Sequence, residues 1–198
     1  MDSIRHGRTP KQARARERVE RVLAGTANEL AERGYAQTTT NGIAARAGVH
    51  VPSVYQYFAN KDALVAELWD RHVDRVITLL RAMLADPASA PIEDTARRYV
   101  SAVIEMHVAQ PDLLAELYAQ APKLDGVRNL REEAIAALMP YLAHHRESLR
   151  PTQLEMAAFV LASAVEGVAR QFALSPNLAV VTLIDEVTEL VTSELGVA

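Results

Sequence analysis

Apolar residues recur along the chain at the three-to-four spacing of an α-helix, and nothing alternates with period two for long enough to form a strand. The pattern predicts an all-α protein of about nine helices, over 12–33, 40–47, 51–58, 61–85, 92–109, 111–119, 124–147, 152–173 and 177–195. Val19, Val22, Leu23, Ala27 and Leu30 mark the apolar face of the first, and Gly34 is placed to stop it. Thr39 or Thr40 can cap the second, which carries Ile43, Ala44 and Ala47 and ends at Gly48. The third opens near His50 or Val51 with Pro52 in its first turn, where no intrahelical donor is lost, and closes with Phe58. Pro87, Pro91, Pro111, Pro122, Pro140, Pro151 and Pro176 each fall at an expected helix boundary. Thr152-x-x-Glu155 reads as a capping box.

The second and third helices are short and share an apolar face: Ile43, Ala44, Ala47, Val49, Val54 and Phe58. Alanines at the crossing let the backbones approach, as in a helix-turn-helix, whose second helix enters the DNA major groove. The opposite face offers suitable groups. His50, Ser53, Gln56 and Tyr57 supply donors and acceptors, Tyr55 can reach a phosphate, and Val51 and Pro52 can touch a thymine methyl. Lys61, with the amino end of its helix, can hold a further phosphate. From this pattern alone an ordinary αα-corner is the other reading.

Charge sharpens the choice. The net charge of −4 looks wrong for a DNA binder, but residues 1–61 hold ten Lys or Arg against five Asp or Glu, +5, leaving eleven against twenty, −9, in the rest. A basic contact module on an acidic body accounts for the asymmetry. Arg5, Arg8, Lys11, Arg14 and Arg16 form a basic arm, either a solvated tail drawn to phosphates or a minor-groove reader. With 198 residues, 49% hydrophobic, the chain can bury a proper core. The absence of cysteine excludes disulfides, thiolate metal sites and a cysteine nucleophile. No metal site or cofactor is expected. No apolar run approaches the ~18 residues of a membrane helix, and the first residues lack a signal-peptide core, so the default is a cytoplasmic protein without a membrane partner.

Gly34-Tyr35, Thr39-Thr40, Ile43-Ala44, Ala47-Gly48-Val49, Tyr55, Tyr57-Phe58 and Lys61 together resemble the amino-terminal pattern of the tetracycline-repressor (TetR) family, over roughly residues 14–66. The resemblance implies a basic arm and DNA-binding head over 1–60, and a helical ligand-binding and dimerisation domain over 61–198. It implies a repressor that binds a palindromic operator in double-stranded DNA as a homodimer and is released by a small-molecule effector. Phosphate contacts would come from Thr39 or Thr40, Tyr55, Tyr57 and Lys61, and base contacts from Asn41, Val51, Pro52, Ser53 and Gln56. Two positions depart from the pattern: Gly42 replaces a better helix former, at a cost of ~1 kcal/mol if interior, and His50 replaces the usual serine cap.

The carboxyl-terminal part is read less sharply. Helices 152–173 and 177–195 resemble the pair that forms the family's four-helix dimer interface, with Ala158, Ala162, Val165 and Gly167 permitting close approach and Ile184, Val187 and Val191 supplying burial; plain core is the other reading. Tyr99, Val103 and His107 share one helical face and, with Trp69, Met106, Tyr118, Met139 and Phe159, are candidates to line a ligand pocket. Glu166 and Arg170, at i, i+4, can pair. A helical enzyme using Glu105, His107, Glu116 or His144-His145 lacks a Glu-x-x-His pair or a nucleophile with an evident base. An interaction module with a non-functional head is the remaining alternative.

Overall fold

The computed structural model describes residues 10–85, 91–145, 150–174 and 179–194. Among them lie α1 (Pro10–Gln37), α2 (Thr40–Ala47), α3 (Val51–Tyr55), α4 (Lys61–Leu84), α5 (Ile92–Ala109), α6 (Pro111–Gln120), a 3-10 turn (Ala121–Lys123), α7 (Leu130–His145), α8 (Pro151–Leu174) and α9 (Val180–Glu194), and no strand. The all-α class follows the periodicity. Pro87, Pro176, Arg5, Arg8, Leu178 and Leu195 lie outside the described residues, as do the side chains of Lys11, Phe172 and Val191.

Two compact units divide between Leu68 and Trp69. In the first, Val22 and Leu23 of α1, Ile43, Ala44 and Ala47 of α2, Val54 of α3 and Leu64 of α4 form one buried cluster, with Leu68 packed on it. Each large aliphatic buried there contributes ~1.5 to 3 kcal/mol. α1 and α2 cross closely at Gly25, where a Cβ would lie 2.9 Å from the Ile43 carbonyl oxygen and 3.0 Å from the Ala47 nitrogen. α1 is interrupted at Gly34, where the backbone leaves helical geometry. α3 ends at Tyr55, short of the expected Phe58; beyond it the chain tightens, the Tyr57 amide donating to the Val54 carbonyl three residues back at 3.1 Å.

In the second unit Val100 and Ile104 of α5, Leu142 of α7, Leu154, Ala158, Leu161 and Ala169 of α8 and Val187 of α9 build the core. α7 begins at Leu130, not near 124. Asn129 caps it, accepting from the Glu132 amide at 3.3 Å and donating to the Glu132 carboxylate at 2.9 Å. Arg128 fixes the preceding loop: its carbonyl accepts from Trp69 Nε1 at 2.9 Å and its amide donates to Asp70 at 3.2 Å. Its guanidinium binds Glu133, Nε to Oε1 at 2.6 Å, and Asp74. Pro140 marks no boundary; it sits inside α7. It and Ala136, whose carbonyl it leaves without an amide, are both exposed, so water can serve that carbonyl. The box expected at Thr152 and Glu155 forms two residues earlier, where Gln153 Oε1 accepts from the Arg150 amide at 3.0 Å. Glu166 pairs not with Arg170 but with Arg131 of α7, at 3.1 Å.

Candidate nucleic-acid interface and apolar cavity

In the first unit Thr39 is the N-cap of α2, its hydroxyl accepting from the Gly42 amide at 3.0 Å. Gly42 has a steric reason to be there: a Cβ would stand 2.1 Å from Glu29 Oε1. Glu29 is 2% exposed and binds Arg46, which also donates to Glu32 at 2.8 Å. Its hydrogen bonds to the Glu32 and Glu29 carboxylates hold the Arg46 guanidinium above its usual pKa. The pairing fastens α2 to α1 and removes Arg46 from the cations available to a phosphate.

α3 opens at His50, whose side chain makes no cap bond; the Ser53 amide donates instead to its carbonyl, at 2.8 Å. Val54, fully buried, anchors the helix and turns its other side outward. Thr39, Asn41, His50, Pro52, Tyr55 and Gln56 are exposed, and Thr40, Val51, Ser53, Tyr57 and Lys61 half-buried. Two of these are already engaged. The Tyr55 hydroxyl lies 3.2 Å from Thr40 Oγ1. Lys61 donates to the carbonyls of Tyr35 at 2.8 Å and Thr38 at 3.2 Å, with its ammonium 3.9 Å from the Tyr35 ring centroid. Of its three donors, one is left for a phosphate. Tyr35 donates to Asp62, and that bond pushes its phenol up to about 12.

The second unit holds an apolar cavity among α4 to α8. Tyr99, Val103, His107 and Tyr118 line it. Trp69 packs edge-on to Tyr118, ring centroids 5.2 Å apart, outside the lining. Met106 and Met139 are also outside it, and Phe159, 47% exposed on α8, faces solvent. Ala162 and Val165, expected at an interface, line the cavity instead; Ala158 and Val187 are core. All four are covered within one protomer; among the described members of that set Gly167, exposed, and Ile184, half-buried, are accessible. Ala158 and Ala162 of α8 thus serve intramolecular packing.

Three buried rings meet at the wall, His107 and Tyr118 in the lining and His72 behind them. His107 Nδ1 lies 2.8 Å from the Val103 carbonyl and must donate to it, leaving Nε2 to accept from the Tyr118 hydroxyl at 3.2 Å. The Tyr118 oxygen can then accept from His72 Nε2 at 3.4 Å, and His72 Nδ1 has no partner among the described residues. His72 was not singled out in the sequence, although Trp69-x-x-His72 shares the inward face of α4. Also missed were Tyr141 and Arg131 of the lining, which no local pattern marks; Glu166, noted only for its spacing to Arg170, lines it too. Among the described residues no group of three His, Asp or Glu is placed to hold a metal.

The histidines make stability pH-dependent. Burial, then the charges of His107 and Arg75, lowers His72 to about 3, and burial lowers His107. The unfolded chain takes up these protons first, near the ordinary histidine value of ~6.5. Stability is therefore full above that value and falls as the pH drops toward the folded value, by about 1.4 kcal/mol per pH unit for His72. Melting curves between about pH 7 and pH 5 should show the decline, and His72→Gln should flatten it; an unchanged slope in that variant would place the acid sensitivity elsewhere.

Comparison with known proteins agrees with this architecture. Residues 22–68 match the model for bacterial regulatory proteins of the tetR family, and residues 91–195 that of a tetracyclin repressor-like carboxyl-terminal domain. The uncharacterized HTH-type transcriptional regulator YdgC of Bacillus subtilis is 35% identical over 83 residues, 42% of each chain. The HTH-type transcriptional regulator EthR of Mycobacterium tuberculosis is 28% identical over 103 residues, 52% of this chain and 48% of that protein. The chain spans about half the length of the curated relatives it matches. A TetR-like transcriptional regulator from Rhodococcus sp. RHA1 superposes with a TM-score of 0.68 at 25% identity, covering 90% of this chain and 96% of that one. A putative transcriptional regulator from Pseudomonas aeruginosa PAO1 shares the fold, with a TM-score of 0.73 at 20% identity over 98% and 95% of the two chains.

Proposed function

The chain belongs to the tetR family of bacterial regulatory proteins, and from that premise we propose that it is a homodimeric repressor whose hold on a palindromic operator is released by a small molecule in its cavity. The observation that carries the reading is the outward face of α2 and α3, where Asn41, Pro52 and Gln56 stand exposed around a helix anchored by buried Val54. In this reading residues 1–60 contact DNA and 61–198 sense the effector and dimerise. Thr39 or Thr40, Tyr55, Tyr57 and the one free donor of Lys61 meet phosphates, while Asn41, His50, Val51, Pro52, Ser53 and Gln56 meet bases. Half-sites lie about one helical turn apart, ~34 to 36 Å, or a multiple of it. The protein acts in the cytoplasm and catalyses no reaction; no helix among the described residues is long and apolar enough to cross a membrane.

A gel-shift with the upstream region of its own gene tests the reading against a module whose head no longer binds DNA. Affinity should fall as salt rises, with a log–log slope of about −0.9 per phosphate contacted. Ser53→Ala and Gln56→Ala should each relax preference at individual operator positions by ~1 to 3 kcal/mol. Binding that ignores salt, or unchanged selected sites for both variants, would refute the assignment of α3.

A further inference from the structure

The cavity in the second unit limits what can fill it. Its wall is almost wholly aliphatic and aromatic, and its ionic members, Arg131 and Glu166, are bound to each other at 3.1 Å. An anion in this space would meet a cation already neutralised and a carboxylate beside it. Both histidine nitrogens of His107 are taken, one by the Val103 carbonyl and one by Tyr118. The Tyr118 proton is directed to His107, so that phenol offers an incoming molecule no donor.

Tyr99 is different. It lines the same space from α5, and its hydroxyl makes no hydrogen bond among the described residues. Burial pushes its phenol well above the usual range, so it stays neutral and keeps its proton to donate. An unanswered donor in an apolar wall favours an acceptor brought by the ligand. A charged group in the same place would be stripped of water with no free counter-charge.

Resting on the effector reading above, we propose that the cavity takes an uncharged, largely hydrocarbon molecule with one hydrogen-bond acceptor, such as an ester, ketone or alcohol, held by the Tyr99 hydroxyl, and that it rejects carboxylate anions of the same length. The Arg131–Glu166 pair is the element that sets this selectivity: it occupies the one cation among the described residues of the wall.

Trp69 is the single tryptophan of the chain and packs against Tyr118, so its fluorescence reports on the cavity without DNA in the sample. Methyl decanoate, decanol and decanoate are titrated into the full-length protein at neutral pH, with thermal shift as a second readout. The two neutral probes should bind saturably, and decanoate at least about tenfold more weakly. Tyr99→Phe keeps the ring and removes the donor; it should weaken methyl decanoate about fivefold. Decanoate binding as tightly as its ester, no saturable binding by either neutral probe, or a Tyr99→Phe protein with full affinity would each overturn the proposal. A probe that binds but leaves the operator complex intact in a parallel gel-shift would count against release by effector, not against the ligand class, so the two failures are distinguishable.

Discussion

Phe159→Arg should yield a folded protein that runs as a monomer and binds its operator at least about a hundredfold more weakly, although the DNA-contacting head is untouched. Six large hydrophobic side chains are markedly exposed among the described residues, and four of them, Met156, Phe159, Val181 and Leu190, lie on α8 and α9. Met156, Phe159, Ser163 and Gly167 recur at intervals of three and four and so form a stripe along α8. If that stripe is the proposed dimer surface, a cation at 159 would be buried against a partner without a counter-charge, which costs ~3 to 5 kcal/mol. Light scattering and circular dichroism on one sample would separate monomerisation from unfolding. A helical, dimeric Phe159→Arg protein with normal operator affinity would move the interface elsewhere. Ala162→Arg, the substitution the sequence alone would suggest, is a poorer test, because Ala162 lines the protomer's own cavity.

Gly25→Ala should destabilise the first unit by ~1 to 3 kcal/mol and weaken DNA binding with it. Helix propensity argues the other way, since alanine is favoured over glycine by up to ~1 kcal/mol inside a helix. Sterics decide the sign: the new methyl would stand 2.9 and 3.0 Å from backbone atoms of α2, which cannot rotate aside as a side-chain end can. α2 would have to move off α1, and Ile43 and Ala47 with it. Denaturant melts would record the loss. A Gly25→Ala protein as stable as the parent would show that the α1–α2 crossing has slack.

The head was legible in the sequence because its determinants are local. Thr39 caps α2, Pro52 opens α3 and Ile43, Ala44, Ala47 and Val54 turn to one core, all within sixteen residues. What could not be read there rests on distant partners. Gly42 looked like a poor helix former until Glu29 was found against it. Arg128 sets where α7 begins through Asp70 and Asp74 of α4, far back along the chain. Lys61 looked like a free phosphate ligand, yet its donors reach carbonyls at 35 and 38. On α8 a run rich in alanine was ambiguous in kind, since small residues permit close approach equally within a protomer and between two. Four of the eight pocket candidates line the cavity: periodicity placed Tyr99, Val103 and His107 on the right face of α5, while Tyr118 of α6 was named only as a large group nearby; Phe159 shares the apolar character but points the other way.

The bonds at Arg128 also say where the chain can be lengthened. The 3-10 turn closes at Leu124, whose amide donates to Ala121 at 3.0 Å, and Arg128 and Asn129 are tied down on the far side. Between these fixed points Asp125 and Gly126 are exposed, and a side chain built at Gly126 would meet nothing within 4 Å. Because loop-closure entropy grows only with the logarithm of length, each doubling of this connection costs about 0.6 kcal/mol. A peptide tag or a fluorophore-bearing insert placed between 125 and 126 would therefore hang from two anchored ends and leave α6, α7 and the cavity they border in place.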